Sequence, residues 1–83
     1  MRKGIKMNKF KLDSFAADVA VYLYQPEGKG SWGKIRFDRR TGKAEIIEKA
    51  SETTPRYDHK AINKIEERCL EKSLPFEFIQ AWV

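Results

Sequence analysis

The sequence predicts a single α+β domain: an antiparallel meander of three strands, one packed amphipathic helix and a strand at the C-terminus. Three observations carry that expectation. "WGKIRFDRRTGKAEIIEKA" holds two alternating runs joined by a turn, "TTPRYDHKAINKIEERCL" combines helix start signals with an apolar stripe, and "FEFIQAWV" alternates once more at the end. With 83 residues, 41% of them apolar and 35% charged, the chain has room for one domain and lies far from disordered compositions.

Residues 1–14 read as a basic arm and residues 15–83 as the domain. The first expected strand covers residues 15–25, "FAADVAVYLYQ", with Val19, Val21 and Leu23 on one face and Asp18, Ala20, Tyr22 and Tyr24 on the other. Phe15, Val19 and Leu23 also recur at helical spacing, but the valines, the tyrosines and the Pro26-Glu27-Gly28 break favour extension. The hairpin follows. Asp38 can bond the turn backbone and Gly42 can take the positive φ the return needs. Pairing Asp38 with Lys43 then sets Phe37 against Ala44, Arg36 against Glu45, Ile35 against Ile46 and Lys34 against Ile47.

The helix starts with Thr54 as N-cap, Pro55 at the first helical position and Asp58 in the first turn. Ala61, Ile62, Ile65 and Cys69 form its apolar stripe with Leu70 at the margin, and Ser73 and Pro75 end the run. In the tail, Phe76, Phe78, Gln80 and Trp82 alternate with Glu77, Ile79, Ala81 and Val83, which reads as a strand; a short helix capped by Ser73 is the alternative.

Charge is unevenly placed. The net charge of +5 is carried by Arg2, Lys3, Lys6, Lys9 and Lys11, while from Asp13 onward basic and acidic residues balance. Such an arm can condense on phosphates or simply aid solubility. Met7 offers an alternative start that would remove Arg2, Lys3 and Lys6. The single cysteine, Cys69, excludes an intrachain disulfide and a cysteine-built zinc site, so a reducing, cytoplasmic setting is the default. No apolar run reaches the roughly 18 residues of a membrane span, and neither secretion nor membrane insertion is expected. A chain this short buries only about 60% of its unfolded surface, which makes self-association attractive.

"GKGSWGKI" matches two nucleotide motifs by spelling alone. Gly28, Gly30 and Gly33 give G-x-G-x-x-G, and residues 28–34 give G-x-x-x-x-G-K. Both motifs need a helix N-terminus behind the glycines to hold the phosphates, whereas here a strand follows and Ile35 stands where a magnesium-binding Ser or Thr belongs. The glycine-rich loop of protein kinases does lie between strands, but the chain has no H-R-D or D-F-G. Nucleotide and other cofactors are therefore not expected.

Catalytic constellations are thin as well. His59 is the lone histidine, Cys69 lies on the apolar stripe as a small buried hydrophobe, and the adjacent Glu66 and Glu67 point about 100° apart on a helix. No metal-ligand cluster is seen. If the helix covers Val19, Val21, Leu23, Ile35, Phe37 and Ile46, the opposite face presents Tyr22, Tyr24, Trp32, Lys34, Arg36, Ile47 and Lys49. Aromatic anchors among cations suit a protein interface. The expectation is a non-enzymatic binding module for a protein partner or a second copy of itself; single-stranded nucleic acid, bound by that face and the basic arm, is the alternative.

Overall fold

A computed structural model describes residues 6–69 and 74–82. Its elements run β1 (Lys6–Ala16), β2 (Val19–Pro26), β3 (Gly33–Asp38), β4 (Lys43–Glu48), α1 (Pro55–Cys69) and β5 (Glu77–Trp82). The strands form one antiparallel sheet in the order β4-β3-β2-β1-β5. The α+β class holds, and the tail is a strand that joins the sheet. The strand count does not hold, because the meander has four strands rather than three.

The additional strand is the basic arm. In "MNKFKL" Asn8, Phe10 and Leu12 alternate with Met7, Lys9 and Lys11, a strand pattern masked by its lysines. Phe10 pairs with Tyr24 on one side and with Phe78 on the other, so β1 is an interior strand. Of the expected arm only residues 1–5, with Arg2 and Lys3, lie outside the described residues. The segment expected as one strand over residues 15–25 also divides. Phe15 and Ala16 end β1, and Ala17 turns the chain at a φ of 54° before β2 begins at Val19.

The β3–β4 hairpin keeps the expected register from Asp38↔Lys43 to Ile35↔Ile46, and Gly42 takes a φ of 75°. Beyond Ile35 the register shifts: Lys34 pairs with Glu48, leaving Ile47 as the extra residue of a bulge instead of Lys34's partner. Thr54 caps α1 by accepting a hydrogen bond from the Tyr57 N–H at 3.4 Å, and Ala61, Ile65 and Cys69 are buried against the sheet.

One prediction of facing is reversed. Tyr22 pairs with Ile35 and Val21 with Arg36, so Tyr22 and Tyr24 share the helix-covered face with Ile35 and Phe37, whereas Val19, Val21 and Leu23 lie on the other. Both tyrosines are fully buried. The large rings contribute more apolar area than valines, and their hydroxyls find partners. Tyr22 donates to the Pro75 carbonyl at 2.6 Å; Tyr24 donates to Asp58 Oδ1 at 2.8 Å and accepts from the Ala50 N–H at 3.2 Å. Phe10 stacks on Phe78 at 4.7 Å to complete the core beneath the helix.

The glycine run has a structural explanation. Gly28 and Gly30 have φ values of 65° and 76°, and Gln25 Nε2 donates to the Gly30 carbonyl at 2.8 Å, folding the loop back on itself. At Gly33 a Cβ would strike the Tyr24 ring and lie 2.5 Å from the Ala50 nitrogen and 2.6 Å from the Glu48 carbonyl. Glycine there admits the tyrosine into the core.

Candidate interaction face

The helix covers one face of the sheet and leaves the other open. On the open side β1 contributes Lys9 and Lys11, β2 contributes Val19, Val21 and Leu23, β3 contributes Lys34 and Arg36, and β5 contributes Glu77 and Ile79, as the cross-strand pairing requires. The valines, Leu23 and the β3 cations are half-buried by one another. Ile47, in its bulge, is 51% exposed and Ile79 58%. The result is a banded face, in which the aliphatic residues of β4, β2 and β5 alternate with the cations of β3 and β1.

A groove of about 490 Å³ runs along this face near β5, lined by Lys9, Phe10 and Lys11 of β1, Trp32, and Glu77, Phe78 and Ile79 of β5. Trp32 is positioned by the glycine loop, which is tied to the segment before the helix: the Ser31 N–H donates to Ser51 Oγ at 2.8 Å and the Ser51 N–H to the Ser31 carbonyl at 3.3 Å. Arg36 contacts Glu45 at 3.5 Å, the ion pair expected of the hairpin, with both side chains substantially exposed and hence of small energetic value. Among the described residues, Lys9, Lys11 and Lys34 make no ion pair.

The structure thus redistributes the expected patch. Lys34, Arg36 and Ile47 lie on the open face and Trp32 borders it, but Tyr22 and Tyr24 are in the core, and Lys49 turns to the helix side, 3.6 Å from Asp58 Oδ2. Val21, Leu23 and Ile79 take the place of the tyrosines. Lys9 and Lys11 join the site from β1 rather than from a flexible arm, and Lys6 pairs with Trp82 at the end of the same strand. The K-x-K spacing of Lys9 and Lys11 was the available signal: alternate residues on a strand share a face.

Burial pushes the Cys69 thiol up, which disfavours its thiolate, and His59 is exposed. Among the described residues there is no cluster of histidine, cysteine or carboxylate side chains that could hold a metal ion, and no helix is long and apolar enough to cross a membrane. No protein-family model, curated protein or solved structure matches the chain.

Proposed function

We propose that this domain is a binding module whose open sheet face docks an acidic, aliphatic segment of a protein partner. The observation that carries the reading is the interleaving of Val21, Leu23 and Ile79 with Lys9, Lys11 and Lys34 on neighbouring strands, beside a groove walled by Trp32. Desolvating these aliphatic side chains and the indole supplies the affinity, and the lysines orient the partner and accelerate encounter. Burial of Tyr22 and Tyr24 removes two of the three aromatic rings on which bases would have stacked, which weighs against a single-strand-binding sheet.

A peptide array probed with the purified protein tests this. Selected peptides should combine Asp or Glu with aliphatic residues, and their binding should be lost in Trp32→Ala and in Lys9→Glu/Lys11→Glu with circular dichroism unchanged. Tight binding of a random single-stranded oligonucleotide at physiological salt, falling steeply with added salt and with no peptide selected, would overturn it.

A further inference from the structure

We propose that the outer edge of β5 pairs with β5 of a second copy, joining two sheets into one. The Leu12 N–H donates to the Phe76 carbonyl at 2.7 Å, and Phe10 and Asn8 face Phe78 and Gln80. Antiparallel alternation then directs the N–H and C=O groups of Phe78 and Gln80 at β1 and those of Glu77, Ile79 and Ala81 outward. Among the described residues no hydrogen bond satisfies the outward groups.

The opposite edge is treated differently. On β4 the Ala44 N–H donates to Glu66 Oε2 at 2.8 Å, so the helix caps that edge, and Lys43, Glu45 and Glu48 charge it. Lysine, proline and side-chain caps are the usual guards against edge pairing. β5, "EFIQAW", contains neither lysine nor proline, while Ile79 is 58% exposed and the adjoining Phe76 63%.

The sequence of the edge is complementary to itself. A two-fold axis at Ile79 sets Ile79 against Ile79 of the second copy, Glu77 against its Ala81 and Phe76 against its Trp82. About six N–H···O=C bonds form. The two Glu77 carboxylates stand at opposite ends of the pairing, and exposed Phe76 gains a cross-strand aromatic neighbour. A second copy thus answers both the backbone groups and the exposed Phe76 ring. The contact is made by the outer backbone edge of β5 and shares Glu77 and Ile79 with the open face, so Ala81→Pro, which changes neither, is the variant that separates the two.

Sedimentation velocity from about 5 to about 500 µM should show the mass doubling with concentration. The Ala81 N–H points away from β1, so Ala81→Pro should keep the fold and weaken association at least about tenfold, as should Ile79→Lys, which opposes two cations. In wild type the Ile79 amide should exchange more slowly as concentration rises, a readout that does not depend on a variant folding. A monomer throughout the range, concentration-independent Ile79 exchange, or a dimer indifferent to Ala81→Pro would overturn the proposal. A dimer lost instead in Leu23→Glu would assign the contact to the open face and equally refute edge pairing.

Discussion

Gly33 shows how one missing side chain sets the core. A Cβ there would strike the Tyr24 ring, the Ala50 nitrogen and the Glu48 carbonyl, and two of those three neighbours are backbone that cannot swing aside. Gly33→Ala should therefore destabilise by about 2–3 kcal/mol, the upper part of the range for overpacking a core. Gly42, at positive φ in an exposed turn, should cost only about 1 kcal/mol on the same change. Urea unfolding of the two variants checks the ordering; a Gly33→Ala protein as stable as wild type would refute the packing argument. Tyr24 also shows why a buried hydroxyl is tolerable, since Asp58 and the Ala50 N–H satisfy it, and Asp58 Oδ1 accepts a further hydrogen bond from Thr53 Oγ1 at 2.5 Å.

Among the elements, β1 departs furthest from what its composition suggests. It carries Asn8 and Phe10 into the core and bridges β2 to β5. Asn8 is wholly buried, and its Nδ2 donates to Gln80 Oε1 at 3.2 Å and to the Tyr57 carbonyl at 3.4 Å, linking the strand to β5 and to α1. Removing residues 1–11 should consequently unfold the domain, with loss of the cooperative thermal transition, rather than trim a solvated tail. Retention of a native circular dichroism spectrum after that deletion would show that β1 is dispensable. The hairpin was legible because its turn residues and cross-strand pairs agreed on one register. β1 was not, because five cations in twelve residues resemble an arm unless the alternation beneath them is read first.

At the scale of the molecule, three tyrosines tie stability to alkaline pH. Burial is the largest cause holding Tyr22, Tyr24 and Tyr57 above the ordinary tyrosine value; Tyr57 is pushed from 10.0 up to about 12, helped by its hydrogen bond to the Glu27 carboxylate. A folded-state value above the unfolded one means that the fold retains its proton more tightly. The associated stability is therefore complete below pH 10.0 and is lost as pH rises through about 12 for Tyr57, with the buried pair adding to the loss. Denaturant unfolding across that window should show a steady fall, shallower in Tyr57→Phe. A flat profile would contradict the burial of these hydroxyls. Glu27 works in the acid range: the Tyr57 hydroxyl and then the Met7 N–H hold its carboxyl below the ordinary 4.5, so its contribution is present above that value and fades as pH falls through the lower folded one.

The sequence by itself determined the α+β class, the β3–β4 register from Asp38↔Lys43 to Ile35↔Ile46, the capped start and apolar stripe of α1, and the burial of Cys69, because each depends on residues close along the chain whose signals agree. Only the tertiary structure decided which face of β2 the helix covers. A strand with valines on one side and tyrosines on the other can be read either way, and the choice fell to distant partners: Ile35 across from Tyr22, Gly33 making room for Tyr24, and Pro75 and Asp58 accepting hydrogen bonds from their hydroxyls. That choice also fixed the open face, moving the tyrosines inward and leaving Val21, Leu23, Ile79 and the β1 lysines outside. A strand's two faces are equivalent to its own sequence until a partner supplies the volume and the hydrogen bonds that distinguish them.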